Sequence, residues 1–229
     1  MNGIWRIHPS TLITELISKD EFDFQIFDRE HGGYDFSSLT EDIRVCKLLK
    51  SKAYVRVSGL NQVEVQRCLD LGADGIIFPQ LSTIEDFTIA SKMIFPYPSG
   101  TRGYNPFVYD FDFGSKLIPS KKECITIIET LEAIDNLEQI VKIPNLNTFY
   151  IGIYDISAQL NCIGELKNQK VTSAVDKIIQ ILKTNNKSIS LMTMSHEDYQ
   201  YYSKKGVNDF VYGVDSFYLK KAFTNIKNA

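Results

Sequence analysis

Short runs of consecutive apolar residues alternate along the chain with longer segments in which apolar residues recur every three or four positions. A continuous apolar run is typical of a strand buried on both faces, as strands are in a parallel sheet. The longer segments have the periodicity of helices that pack on such a sheet, as in the series Leu39, Ile43, Cys46 and Leu49. The pattern predicts strands at residues 3–6, 22–28, 53–57, 75–79, 124–129, 148–153, 188–194 and 209–213. It predicts helices near residues 10–19, 36–50, 60–71, 83–95, 131–142, 168–186, 196–205 and 215–226.

Eight alternations of strand and helix within 229 residues favour an α/β fold of the (β/α)8 type, a TIM barrel, as one domain over residues 1–229. A doubly wound open sheet is the alternative, although no GxGxxG motif follows the first strand to support a dinucleotide fold. Ser10 and Thr83 are predicted helix starts, and Gly72 and Gly206 are predicted helix ends.

The composition is that of an ordinary globular protein and gives no sign of nucleic-acid binding. The chain is 44% hydrophobic and 23% charged, and its net charge of -3 does not indicate the basic surface that nucleic-acid binding needs. No apolar stretch approaches the ~20 residues of a membrane span, and no signal peptide is recognised. The four cysteines are widely spaced and form no CxxC pair, which favours reduced thiols in a cytoplasmic protein.

Charged residues follow several predicted strands at the point where each strand ends. They are Asp28, Arg56, Glu129 and Asp155. In a barrel, the carboxyl ends of all strands share one face, so these side chains are expected to meet. Carboxylate oxygens suit Mg²⁺ or Mn²⁺, whereas Zn²⁺ is disfavoured because no His pair or Cys cluster accompanies them. The pattern predicts a metal-assisted enzyme, although each such residue alone is more often an ion pair or a loop cap than a catalytic group.

Three further residues are candidates for the same site. His31 lies in a glycine-containing loop, Glu30-His31-Gly32-Gly33, which favours a functional over a structural histidine. Asp70 ends a predicted helix, a poor position for a carboxylate beside the helix dipole, and a partner such as His31 would explain it. Arg102 could hold an anionic substrate group, and it belongs to the irregular segment 97–122, which is expected to cover an active site.

Taken in order, the motifs of this chain resemble those of the HpcH/HpaI family of metal-dependent class II aldolases, within the citrate lyase β-like superfamily. The resemblance runs over nearly the whole chain. Its motifs are Asp28-x-Glu30-His31, Val55-Arg56, Leu69-Asp70-x-Gly72-Ala73, Gly75-Ile76-Ile77-Phe78-Pro79-Gln80, Tyr97-Pro98-x-Gly100-x-Arg102-Gly103, Ile128-Glu129-Thr130, Ile151-Gly152-x-x-Asp155-Ile156-Ser157 and Gly213-Val214-Asp215.

The resemblance implies a barrel of the phosphoenolpyruvate/pyruvate-binding type that cleaves a 4-hydroxy-2-oxo acid to pyruvate and an aldehyde. It implies that Glu129 and Asp155 bind a divalent metal, Mg²⁺ or Mn²⁺ with Co²⁺ as a further possibility, and that the metal holds the 2-oxo acid. Arg56 would then stabilise the developing oxyanion. The backbone around Gly152, Tyr154 and Asp155 would receive the substrate carboxylate.

The resemblance also implies a proton-transfer group. His31, oriented by Asp70, would move the proton through water, and Asp28 would order metal-bound water. Family members form homo-oligomers, often with the last helix packed on a neighbouring subunit, and the same is expected here.

The chain departs from the family pattern around the substrate. Ile127 replaces the usual Gln two residues before the metal Glu, and Ile153-Tyr154 replaces a small Pro-Ala pair. Arg29 is unusual in its place. A citrate-lyase-like acyl lyase and a catalytically inactive barrel with a binding role are therefore alternatives to the aldolase.

Overall fold

Eight parallel strands close into a barrel in the computed structural model of the protein, which describes residues 1–20 and 22–228. The strands follow one another in chain order, and β8 pairs with β1 to close the barrel. Their bounds are β1 Asn2–Arg6, β2 Phe24–Asp28, β3 Lys52–Arg56, β4 Gly75–Phe78, β5 Glu123–Ile128, β6 Thr148–Ile151, β7 Ser188–Thr193 and β8 Asp209–Val214. The (β/α)8 barrel is confirmed, and the doubly wound open sheet was the wrong alternative because it would leave two sheet edges unpaired.

Helices connect the strands and surround the barrel. They are α1 Thr11–Lys19, α2 Phe36–Leu48, α3 Gln62–Asp70, α4 Ile84–Met93, α5 Leu131–Ile140, α6 Ile153–Gln159, α7 Gln169–Thr184, α8 His196–Lys205 and α9 Asp215–Lys227, with a 3-10 helix at Tyr109–Gly114. Of the described helices, none combines the length and the apolar character that crossing a membrane would need. Helix α6 was not predicted: the sixth strand was expected to run to residue 153 but ends at Ile151. Asp155 consequently lies in the first turn of a helix.

Local side-chain chemistry explains where the helices begin and end. The Ser10 hydroxyl accepts a hydrogen bond from the Ile13 N–H at the start of α1. Thr83 and Asp86 form a reciprocal capping box at the start of α4. Helix α8 ends at Gly206, whose φ of 105° lies in the left-handed region that glycine tolerates. The helix starts at Ser10 and Thr83 and the end at Gly206 are thus confirmed.

The hydrophobic core has two layers. The larger layer lies between the outer face of the sheet and the helices. The smaller layer fills the inside of the barrel with bulky side chains, among them Trp5, Phe24, Tyr54, Ile127 and Tyr150. Because these side chains close the interior, the open space of the barrel lies at its ends.

Residues 97–122 lie at the amino-terminal end of the barrel, because they follow α4 and lead into the start of β5. Arg102 is buried there and donates hydrogen bonds to Asp70 at 2.7 Å and to Asp110 at 2.9 Å. The Lys122 ammonium lies 2.6 Å from the other oxygen of Asp110. Asp70 is the last residue of α3, and barrel helices run opposite to the strands, so their carboxyl ends lie away from the strands' carboxyl ends.

Within a single chain, this arrangement differs from what the sequence predicted for segment 97–122, for Arg102 and for Asp70. The segment 97–122 lies at the end of the barrel opposite to the carboxyl-terminal face, and Arg102, which was expected to face a substrate, lies in a buried ion-pair cluster with Asp70 and Asp110. Asp70 pairs with Arg102 and not with His31.

Candidate active site at the carboxyl ends of the strands

The strand-end residues meet around one cavity of about 430 Å³. Asp28 ends β2 and Arg56 ends β3, Glu129 follows β5, and Asp155 lies in the first turn of α6. All four line the cavity together with His31. The grouping expected from the sequence is therefore present in the structure, because parallel strands deliver their last residues to the same face.

Asp28 is the buried anchor of this face. Its Oδ1 accepts hydrogen bonds from the main-chain N–H groups of Glu30 and His31 and from Nε of Arg56, at 2.9, 3.2 and 2.9 Å. Its Oδ2 accepts from Nη2 of Arg56 at 2.5 Å and from the Trp5 indole at 3.2 Å. The carboxylate thus orients the guanidinium by two parallel bonds and holds the start of the His31 loop.

The loop that carries His31 is tight. A Cβ at Gly32 would lie 2.2 Å from the carbonyl oxygen of Asp28, so the turn requires glycine there. The His31 side chain is exposed, and its Nε2 lies 3.9 Å from the carboxylate of Glu30. Among the described residues, Glu30 is an acid beside this ring, whereas Asp70 pairs with Arg102.

Glu30 and Gln80 are site residues whose roles the sequence did not reveal. Glu30 forms an ion pair with Nη1 of Arg56 at 2.7 Å and accepts a hydrogen bond from the Gln80 amide at 2.7 Å. The main-chain N–H of Gln80 donates to Oε1 of Glu129 at 2.5 Å. Gln80 therefore links two acids of the site. It follows β4 as the acids follow their strands, a signal that could have identified it, and its φ of 55° is unusual for a residue other than glycine.

The charges of the site change the acidities of its groups. Burial by itself raises the pKa of Asp28, but the hydrogen bonds and the charge of Arg56 outweigh burial and hold that pKa below its ordinary value. Burial by itself lowers the pKa of Arg56, but Asp28, Glu30 and Glu129 together raise it. Burial raises the pKa of Glu129 to about 7, with further raising by Asp155 and Glu30, against the lowering effect of the Gln80 N–H.

Glu129 and Asp155 fit a hard divalent cation. Both offer carboxylate oxygens to the same cavity, and the charge of Asp155 contributes through repulsion to the raised pKa of Glu129. A dication between them would remove that repulsion, and oxygen donors are what Mg²⁺ and Mn²⁺ prefer. Within residues 1–20 and 22–228, no group of three or more His, Cys, Asp or Glu side chains forms a metal site alone. Two carboxylates occupy only part of the octahedral set of Mg²⁺, so the pair would leave positions for water and substrate.

The backbone after β6 approaches Glu129 closely. A Cβ at Gly152 would lie 2.5 Å from Cβ of Glu129 and 3.0 Å from a methyl group of Ile127. Glycine is required at this position, and its neighbours Tyr154 and Asp155 begin α6 at the rim of the cavity. Tyr154 is exposed and lines the cavity, and Ile127 supplies an apolar surface there.

Comparison with known proteins places these residues in a family context. The profile of the HpcH/HpaI aldolase/citrate lyase family matches residues 3–222. A 4-hydroxy-2-oxo-heptane-1,7-dioate aldolase of Klebsiella pneumoniae is 24% identical over 225 residues, covering 96% of this chain and 85% of that protein. A pyruvate aldolase of Rhizobium etli is 26% identical over 196 residues, covering 83% of this chain and 77% of that protein. The crystal structure of the citrate synthase SbnG is similar with a TM-score of 0.89 and 25% identity, covering 99% of this chain and 91% of that one.

Proposed function

Because this chain belongs to the HpcH/HpaI aldolase/citrate lyase family, we propose that it is a divalent-metal-dependent lyase. It cleaves a 4-hydroxy-2-oxo acid into pyruvate, or a related 2-oxo acid, and an aldehyde. The observation that carries the proposal is the convergence of Glu129 and Asp155 with Arg56 and His31 on one cavity. The relatives named as aldolases support the reaction type but do not identify the substrate.

Glu129 and Asp155 would hold the cation, as Mg²⁺, Mn²⁺ or Co²⁺. When bound, this ion would act as a Lewis acid on the negative charge that develops at the 2-oxo oxygen. Arg56 adds a second positive charge there, and Asp28 fixes the plane of its guanidinium through two hydrogen bonds. The first-turn amides of α6, from Tyr154 and Asp155, would receive the substrate carboxylate.

His31 is assigned the proton transfer. When the bond between C3 and C4 breaks, its electron pair moves to the 2-oxo acid fragment and the proton of the 4-hydroxyl must leave. The exposed imidazole on the cavity can accept this proton through a water molecule and return a proton to C3. Asp28 positions the ring by anchoring the His31 N–H, and Glu30 lies beside it.

The proposal is tested by measuring metal binding and turnover on the same samples. Protein freed of metal by a chelator is titrated with Mn²⁺ by calorimetry. It is also assayed for pyruvate release from a panel of 4-hydroxy-2-oxo acids with Mg²⁺, Mn²⁺ and Co²⁺. Glu129→Gln should weaken metal binding and abolish release together, because a neutral amide is a poorer ligand for a hard dication. Glu132→Gln, at an exposed position of α5, is the matched control and should retain both.

Two outcomes would refute the proposal. One is full activity of the wild type after exhaustive chelation, and the other is wild-type activity of Glu129→Gln. A wild type that binds no metal and acts on no member of the panel would favour a binding role for the barrel.

A second candidate is a lyase or synthase that acts on an acyl thioester, which the similarity to a citrate synthase favours. Coenzyme A carries phosphates that require cations near the mouth of a site. Arg56 is the single guanidinium or ammonium group among the described residues that line the cavity, and it faces Asp28 and Glu30. Thiol release from acetyl-coenzyme A and oxaloacetate, measured with the same metals, distinguishes this reaction from the aldolase reaction.

A further inference from the structure

The mouth of the barrel is divided into a charged sector and an apolar sector. The charged side chains come from β2, β3, the end of β5 and the start of α6. The opposite sector is built by β7, β8 and β1, which are consecutive around the barrel, and by α9. Apart from Ser216 and the indole N–H of Trp5, which donates to Asp28, the cavity residues of this sector are apolar: Trp5, Ile7, Met192, Met194, Val214 and Phe217. The cavity therefore has one end for charged groups and one end for hydrocarbon.

The apolar sector has no charge with which to bind an anion. In the part of the chain that the structure describes, Arg56 is the one permanent cation on the cavity, and it lies in the charged sector between Asp28 and Glu30. A carboxylate placed against Met192, Met194 and Val214 would lose its water without gaining an opposite charge. Such a transfer is strongly unfavourable, whereas a methyl or methylene group in the same place would be favoured.

A second cavity of about 420 Å³ adjoins the apolar sector and shares Ile153, Tyr154, Met192 and Met194 with the first. Beyond these shared residues its wall also carries the acids Glu165 and Asp198, which would repel a carboxylate. A chain of several carbon atoms can therefore continue from the site along Met194. Lys167 lines the outer part of this second cavity, but its side chain is 80% exposed and lies 3.8 Å from Glu197.

We propose that the aldehyde fragment of the substrate is uncharged and apolar, so that the substrate is a 4-hydroxy-2-oxo monocarboxylic acid with an aliphatic or aromatic tail. This inference rests on the proposed lyase function. It separates this chain from an enzyme for a heptane-1,7-dioate, the substrate named for the Klebsiella pneumoniae relative, which has a second carboxylate at its far end. The 2-oxo carboxylate lies in the charged sector, and the tail lies against β7, β8 and β1.

Binding of two uncleavable analogues tests the proposal without turnover. Both lack the 4-hydroxyl group, and they differ in one end group: 2-oxoheptane-1,7-dioate ends in a carboxylate, and 7-methyl-2-oxooctanoate ends in an isopropyl group of similar shape. Trp5 is the only tryptophan of the sequence and lines the cavity, so its fluorescence reports occupancy. With Mg²⁺ present, we expect the isopropyl analogue to bind at least about tenfold more tightly than the diacid.

A variant with a new cation strengthens the test. Met194→Lys places an ammonium group in the apolar sector and should reverse the preference. Val63→Lys adds the same charge at an exposed position on α3 and should leave the preference unchanged. Retained binding of pyruvate shows that each variant is folded. Equal binding of the two analogues by the wild type, or tighter binding of the diacid, would overturn the inference.

Exchange of the methyl protons of pyruvate in D₂O, followed by NMR, separates this failure from failure of the proposed function. Exchange requires the 2-oxo acid site but no aldehyde. If exchange proceeds with metal while the diacid binds more tightly, the lyase proposal stands and the apolar-tail inference is wrong. If the wild type neither binds pyruvate nor exchanges its protons with Mg²⁺, Mn²⁺ or Co²⁺, both are wrong.

Discussion

Replacement of Asp28 by Asn should destabilise the protein strongly, although the two side chains have nearly the same shape. The carboxylate accepts five hydrogen bonds and is 1% exposed. An asparagine oxygen can keep the three bonds on the Oδ1 side. Its NH₂ group would then face two donors, Nη2 of Arg56 and the Trp5 indole. Each lost bond to a charged group is worth about 1.5–3 kcal/mol, and the Arg56 charge would lose part of its partner. We therefore expect the free energy of unfolding to fall by about 3–5 kcal/mol.

The assay is urea unfolding in the presence of EDTA, followed by Trp5 fluorescence and circular dichroism. In a thermal unfolding experiment on a chain of this size, the same loss of about 3–5 kcal/mol would lower Tm by roughly 6–20 °C. Asp155→Asn is the matched control: Asp155 is an acid of the same cavity but is exposed, so its replacement should change stability by less than about 0.5 kcal/mol. A loss below about 1 kcal/mol for Asp28→Asn, or an equal loss in both variants, would refute the view that Asp28 anchors the site.

The pH dependence of the difference in stability between the wild type and Asp28→Asn tests whether the charge of Asp28 causes that difference. Because Arg56 holds the pKa of folded Asp28 below the unfolded value, the contribution of the carboxylate is complete above about pH 4 and is lost as the pH falls through the folded pKa. The stability difference between wild type and Asp28→Asn should therefore be constant from pH 7 to about pH 5 and should shrink in more acidic solution. A difference that grows on acidification would contradict the assignment.

Four further predictions concern activity, stability and assembly. Arg56→Lys should retain metal in calorimetry but lose about 10²-fold in kcat, because a single ammonium cannot reproduce the oriented fork; a wild-type kcat would contradict it. His31→Ala should also retain metal and lose about 10²–10⁴-fold in rate, with a flattened pH–rate profile as the signature of a lost proton-transfer group. Asp110→Asn should lower the free energy of unfolding, measured in urea, by about 3–5 kcal/mol, because Arg102 and Lys122 would remain buried without the carboxylate that they share. Phe223, 66% exposed on α9, is expected to lie in a contact between subunits, so Phe223→Asp should reduce the mass measured by light scattering; a wild type that is monomeric at micromolar concentration would refute this.

The strand-end residues could be predicted because two simple regularities coincide at them. A buried parallel strand leaves an apolar run in the sequence, and the charged residue that ends the run marks the carboxyl end of the strand. Asp28, Arg56 and Glu129 were located in this way, and the shared direction of the strands was sufficient to bring them together. Asp155 was predicted as a site residue just beyond a strand ending at residue 153. The helix α6 that carries it was not predicted, because the residues of α6 continue the apolar run of β6 without a break.

The errors at Asp70 and Arg102 arose from chain direction. Both lie on segments that run from a helix toward the next strand, and such segments belong to the amino-terminal end of a barrel. The predicted helix over 60–71 already contained this information, since its last residues must lie opposite the end of β3. Residue type alone favoured a pairing between Asp70 and His31, whereas topology brings Asp70 to Arg102.

The contacts of Gln80 and Glu30 could not be predicted, because they depend on how neighbouring loops pack. These contacts determine which acids of the site are paired with a positive charge and which are not. All three nitrogen atoms of the Arg56 guanidinium have acidic partners: Nε and Nη2 contact Asp28, and Nη1 contacts Glu30. Glu129 receives a main-chain N–H from Gln80, which supplies a partial charge only. Burial, together with the charges of Asp155 and Glu30, raises the pKa of Glu129 to about 7. Arg56 is thus paired with Asp28 and Glu30, whereas Glu129 and Asp155 remain as carboxylates that a cation from solution can neutralise. This uneven distribution of charge supports the proposed divalent metal as much as the kind of ligands does.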